Sequence, residues 1–393
     1  MTKPHRIDAF AGMRGLAAFS VAFHHLPHLH VDEAINQLLR DCMRGPGCGV
    51  PFFFVISGFV LAYRYHMEFT TPTKAGVVNY YTGRFARIWP VHLFTLFLAF
   101  FYSPNPLHQN RLDAAVVNAC LIQTWLPNSV YTHSFNSVTW SLSIEIFFYL
   151  ALPFIVWRLP TFNHIQGLAI CVIAWLVPFS MALYLIANPT PWEQYLVVYC
   201  PVTRMGEFLI GVVIGLFYVR NGSLLPAHVS RSSTVLWSLL EASTVVVAAL
   251  FVYSGPAVPQ LLRSNGYYTL PVAAIIGVFA FQRGLLSNVF TWSGLRYFGE
   301  ISFAFFMVHC IVFVCLNSIF PGPMPSWSRA NLYLLVAAAV AVVVHHVIEI
   351  PASRILVRIA NPIQKQSTCL PEGERKSAQG IIGATDQRLA QEA

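Results

Sequence analysis

The sequence predicts an all-α integral membrane protein, a single polytopic bundle of about ten transmembrane helices, N-in and C-in. Three observations carry that prediction. Only 10% of the 393 residues are charged while 56% are hydrophobic, against roughly a quarter charged in soluble chains. The mean hydropathy is +0.59. The apolar stretches also follow one another with short connections, leaving too little polar surface to wrap soluble domains.

The spans follow in order. Crossing the hydrocarbon takes about 20 mostly apolar residues. Candidates lie near 9–29, 50–66, 88–103, 141–157, 165–187, 205–219, 234–253, 267–281, 300–320 and 329–349. Lys3 and Arg6 before an apolar run imitate a signal peptide. The run nevertheless holds Arg14, His24 and His25 and lacks a small-x-small cleavage site, so it reads as a retained first span. The stretch 110–126, with Asn118 and Gln123, is only moderately apolar and reads as an interfacial or re-entrant piece. Residues 1–360 form the membrane domain. Residues 361–393 mix Lys, Glu, Gln, Ser and Gly without period and read as a flexible cytoplasmic tail.

The net charge of +8 is what basic cytoplasmic loops produce, so no nucleic-acid partner is expected. Of the 24 Lys and Arg residues, the N-in arrangement leaves only Arg40, Arg44, Arg111, Arg204, Arg263 and Arg329 outside. Trp140 and Trp157 bracket the fourth span as interfacial aromatics do. The cysteines are scattered without a CxxC pair, and HExxH is absent, so no metal site is expected. There is no GxSxG elbow or phosphate-binding GxxxxGK[ST] loop either. Cys42 and Cys48 share one predicted external loop and are candidates to pair.

Ionisable residues inside spans are costly and point to function. Arg14 and His25, eleven residues apart, are separated by three helical turns plus about 20° and so share a face, about 16 Å apart along the axis. Arg14 lies toward the cytoplasm and His25 toward the outer half. Snorkelling of Arg14 and a structural, hydrogen-bonded His25 are the competing accounts. His24 points about 100° away and is read as structural. Arg84 and Arg87 in RFARIWP share a helical face at the cytoplasmic approach to the third span. They are either an ordinary basic flank or, with Arg14, a phosphate site. Glu145 in SVTWSLSIEIFFYL lies at the outward depth of His25. A carboxylate beside a histidine is the minimal general-base unit, and a structural ion pair is the rival. His309 in ISFAFFMVHC is intramembrane, with packing and cavity lining both open. Glu349 and Pro351 mark the end of the last span. The glycines of GEFLIGVVIG sit at helical spacing, as close helix packing requires.

In this order, the segments resemble the acyltransferase-3 family of bacterial membrane O-acyltransferases, from about Arg6 to Arg358. MRGLAAFSVAFHH carries the family's arginine and histidine at Arg14 and His25. GVPFFFVISGF, RFARIWP, TWSLSIEIFFY, GEISFAFFMVH and IEIP match its later signatures. Ala11 stands where an acidic residue is frequent, Ile146 where a second Glu is common, and Phe303 and Phe306 where tyrosines are usual.

The resemblance implies transfer of an acyl group, commonly acetyl from acetyl-CoA, to a hydroxyl of a carbohydrate or other acceptor. It implies a multi-pass protein of the bacterial inner (cytoplasmic) membrane. His25 and Glu145 would be catalytic, and Arg14, Arg84 and Arg87 would hold the phosphates of acyl-CoA. A direct attack assisted by His25 and an acyl-histidine intermediate both fit. A secondary transporter or flippase for a glycan or lipid would also show intramembrane Arg, His and Glu. The hydropathy pattern has no inverted repeat to support it.

Overall fold

The computed structural model describes residues 6–26, 48–102, 112–159, 162–221, 231–321 and 326–360. The tail at 361–393 and Cys42 lie outside these residues. Among the described residues there is no strand. The chain runs through α1 (Asp8–His24), α2 (Gly49–Thr70), α3 (Lys74–Tyr102), α4 (Leu112–Ala119), α5 (Trp140–Arg158), α6 (His164–Ala187) and α7 (Pro201–Asn221). It continues through α8 (Arg231–Ser254), α9 (Thr269–Phe279), α10 (Ser293–Glu300), α11 (Ser302–Ile319), α12 (Ser326–Val344) and α13 (Ile350–Ala360).

Among the described residues, 8 helices are long and apolar enough to cross a membrane, in place of the expected ten or so. The two that fall short are α1, with 17 residues, and α9, with 11. At 1.5 Å per residue α9 rises about 16 Å, roughly half the hydrocarbon thickness. Its start explains the shortfall. Gly266 adopts φ +94° and Asn265 is extended, so the helix cannot begin earlier. Trp175 Nε1 donates to the Gly266 carbonyl at 2.8 Å and holds the break in place.

The other correction is at the end of the bundle. The chain does not stop at Glu349 and Pro351. A π-helical turn over His345–Glu349 carries α12 directly into α13, with Pro351 two residues beyond that turn, where the wider turn accommodates a residue without an N–H. The stretch 112–126 is not one long helix. α4 has only 8 residues, and the irregular chain after it is hydrogen-bonded inside the protein, as backbone at membrane depth must be. His92 Nε2 meets the Asn118 carbonyl at 2.8 Å, Trp89 Nε1 donates to Ala119 O at 3.1 Å, and Ser143 Oγ donates to Leu121 O at 2.7 Å.

Burial grades across the bundle. The spans of α2 and α7 are each 56% buried, while those of α6 and α8 are 17% and 11% buried. The first pair is therefore the axis of the fold, and the second pair presents Leu and Val to lipid. α2 and α7 touch at backbone distance. A Cβ on Gly211 would collide with the Val55 carbonyl, and one on Gly58 with the Phe208 carbonyl. The close packing expected of the GEFLIGVVIG glycines is thus observed. α1 leans on α10 and α11, tied at its start by Arg6, which pairs with Asp8 at 3.2 Å and Glu300 at 2.9 Å.

Candidate active site

Three arginines converge on one cavity of about 130 Å³. Arg14 comes from α1, and Arg84 and Arg87 come from one face of α3, as their spacing predicts. Arg84 is buried and stacks between the rings of Tyr65 and Tyr149, its guanidinium 5.9 Å from each ring centre. Arg14, Arg87 and Glu145 line the same cavity. Gathering three guanidinium groups in an apolar setting is costly without an anion, and guanidinium is the side chain best shaped for phosphate.

Glu145 belongs to this cavity. One of its oxygens accepts from Tyr149 Oη at 2.5 Å and from Ser57 Oγ at 3.1 Å. Tyr149 lies one turn further along α5, and Ser57 lies across the interface with α2. The hydrogen bonds of Glu145 thus go to Tyr149 and Ser57, and it lines the cavity with the arginines rather than with His25. The physical reason is the side-chain direction: the α5 face carrying Glu145 and Tyr149 is turned to Arg14 and Arg84, not to the end of α1.

His25 lines a second, larger cavity of about 290 Å³, together with His24, His133, Trp140, Tyr199 and Arg263. His24 and His25 both line this cavity, although His25, the cap of α1, keeps helical backbone angles (φ −84°, ψ −2°). The two cavities share Val50, Ser141 and Phe306. Those three residues form the wall between the arginines and His25.

The partner of His25 is His309 on α11. Nδ1 of His309 lies 2.7 Å from the Phe306 carbonyl, so it carries the proton, and Nε2 keeps its lone pair. That Nε2 faces His25 Nδ1 at 3.3 Å. His25 Nδ1 also lies 2.8 Å from the Val21 carbonyl, one turn back on α1. Two acceptors around one nitrogen fix the proton of His25 on Nδ1 and leave its Nε2 unprotonated. Such an imidazole is poised to accept a proton. Cys310 Sγ completes the group, 3.3 Å from His309 Nε2.

Sequence reasoning left His309 undecided and did not single out Tyr149, although its spacing of four from Glu145 is a readable helical signal. It also passed over two buried carboxylates. Glu207 pairs with Arg204 at 2.9 Å and accepts from Thr269 at 3.2 Å. Glu241 on α8 accepts backbone N–H groups of Gly284 and Ser287, both at 3.0 Å, and the Ser287 hydroxyl. Both are structural ties between helices.

Comparison with known proteins bears on the family. No solved structure is significantly similar to the chain. The chain is 29% identical to the acyltransferase MdmB of Streptomyces mycarofaciens, covering 90% of this chain and 93% of MdmB. It is 23% identical to the O-acetyltransferase OatA of Staphylococcus aureus, covering 89% of this chain but only 58% of OatA. The family profile described as an acyltransferase domain, family 3, matches residues 7–346. A match that spans nearly the whole bundle, both cavities included, makes the chain a member of the acyltransferase-3 family.

Proposed function

We propose that the chain is a multi-pass membrane O-acyltransferase that moves an acyl group, acetyl foremost, from acyl-CoA to a hydroxyl of a carbohydrate or other acceptor. The observation that carries this reading is the pair of cavities with one wall. The arginine cavity suits a polyanionic donor, and the aromatic and polar cavity beside His25 suits a hydroxylated acceptor. With the N-terminus in the cytoplasm of a bacterial inner membrane, the donor side faces the compartment that holds acyl-CoA.

The length of the donor supports the same reading. About twelve bonds separate the pyrophosphate of CoA from its sulfur. Extended as a peptide backbone is, they reach about 14 Å. Arg14 and His25 lie about 16 Å apart along the axis of α1. Phosphates held by Arg14, Arg84 and Arg87 therefore place the thioester at the shared wall, within range of the second cavity.

In the reaction, His25 Nε2 takes the proton of the acceptor hydroxyl as its oxygen attacks the thioester carbonyl carbon. The C–S bond breaks, and the CoA thiolate leaves with the proton that the imidazolium returns. His309 holds the productive tautomer of His25. Glu145 balances the arginines and fixes Tyr149 and Ser57 in the donor cavity, so it is a positioning residue.

The test is release of free CoA by the purified protein in proteoliposomes supplied with acetyl-CoA and a hydroxylated acceptor. Turnover that falls about 10²- to 10⁴-fold in a folded His25→Ala protein supports the reading. Wild-type turnover from that variant removes His25 as the base. Glycan or lipid translocation without CoA release identifies a transporter instead.

A further inference from the structure

We infer that His25, His309 and Cys310 form an inhibitory site for a borderline-soft transition metal, zinc(II) being the type case. The inference deepens the proposed reaction and rests on His25 as its base. Three features point to a ligand set rather than to chance proximity. The ligand atoms of the three residues all lie within 4.8 Å of one another. His309 Nε2 is 3.3 Å from both His25 Nδ1 and Cys310 Sγ, close to the spacing of about 3.3–3.6 Å that tetrahedral Zn–N and Zn–S bonds impose. His309 is also supported as metal-binding histidines are, its other nitrogen bonded to a backbone carbonyl at 2.7 Å.

The donor set is two imidazoles and one thiol, which excludes magnesium and calcium and suits zinc or copper. His25 is exposed to the 290 Å³ cavity, which gives a metal ion a path in and leaves a fourth position for water. The shift from hydrogen bonds to metal bonds is a replacement of protons. The thiol of Cys310 loses its proton to solvent as sulfur binds the ion. His25 Nδ1 gives up its bond to the Val21 carbonyl, and the single ring proton moves to Nε2. The lone pair that would accept the proton of the acceptor is then gone. Metal binding and base catalysis exclude each other at one ring.

Purified full-length protein in nanodiscs, titrated with cobalt(II) alone, is the first measurement. The wild type is expected to develop a thiolate-to-cobalt charge-transfer band at one equivalent, bleached by zinc and absent in Cys310→Ala. The second measurement is zinc inhibition of CoA release, with magnesium as the control and each protein referred to its own metal-free rate. Removing a direct ligand costs at least what removing a supporting partner does, so Cys310→Ala should need upwards of about tenfold more zinc. Absence of the band from the wild type overturns the site, as does equal zinc sensitivity of the two proteins. A band that depends on Cys310 but leaves turnover untouched keeps the metal site, overturns inhibition, and with it the assignment of His25 as base.

Discussion

His309 turns its unprotonated Nε2 to His25 Nδ1 across 3.3 Å, from a ring that is itself fully buried and anchored on the Phe306 carbonyl. A base held by a second histidine rather than by a carboxylate keeps its environment neutral in both partners, which suits a low-dielectric bundle. Replacing His309 by Ala should lower kcat by about tenfold or more, within the range by which general-base catalysis contributes. KM for acyl-CoA should hardly change. His309→Gln, which retains an acceptor, should recover part of kcat. A purely structural His309 would instead lower the melting temperature and leave kcat of the folded fraction intact.

Arg84 and Arg87 give the proposed donor site a separate signature. Each charge-assisted contact is worth about 1.5–3 kcal/mol, so Arg87→Ala should raise KM for acyl-CoA about ten- to a hundredfold. An acyl-pantetheine donor, which lacks the nucleotide phosphates, should show the same KM for wild type and variant. Steady-state kinetics with the two donors decides whether the arginines read phosphate.

Glu145 and Tyr149 are joined by a 2.5 Å hydrogen bond to one carboxylate oxygen. A double-mutant cycle with Glu145→Gln and Tyr149→Phe, followed by thermal unfolding in detergent, should return a coupling of about 1–3 kcal/mol. Additive effects would mean that the contact contributes nothing.

The α2–α7 axis predicts a stability contrast between two glycines. Gly211→Ala forces α2 and α7 apart, because its new methyl meets the Val55 carbonyl. It should destabilise by about 1–3 kcal/mol. At Gly277 in α9 the nearest neighbour is a side-chain methyl of Ile214 at 3.8 Å, ordinary contact distance. Gly277→Ala should be neutral or slightly stabilising, since Ala is the better helix former. Unfolding temperatures of the two variants test the pairing.

A fifth expectation concerns Arg204 and Glu207, a pair almost wholly buried at 2.9 Å. Arg204→Ala alone should cost about 3–5 kcal/mol, because it strands the carboxylate. The apolar double replacement Arg204→Met with Glu207→Leu should recover much of that loss.

Helix identity and most spans were legible in the sequence because twenty-residue apolar runs admit few other structures in water or lipid. The shortness of α9 was not, because a left-handed glycine cuts it off, a backbone event that hydropathy does not register. In the site, Arg14, Arg84 and Arg87 meet as their helical spacing suggested. Whether Glu145 meets His25 was not legible, and its hydrogen-bond partners are Tyr149 and Ser57. Axial depth can be counted from sequence, but the rotation of α5 about its own axis is set by packing against α2. His309 was hidden for a related reason. Its pairing with His25 spans 284 positions, and no local pattern carries that information.

Phe306 stands between the two cavities with only Val50 and Ser141 beside it. In the proposed reaction, a thioester on one side and a pool of hydroxyls on the other are kept apart by three side chains, of which Phe306 is the bulkiest. In that reaction the acyl group and the hydroxyl can meet only by passing the Phe306 ring. Leakage of the acyl group to water becomes a matter of how often it passes with no acceptor in place. The economy of the enzyme in acyl donor is thereby tied to one side chain that takes no part in the chemistry.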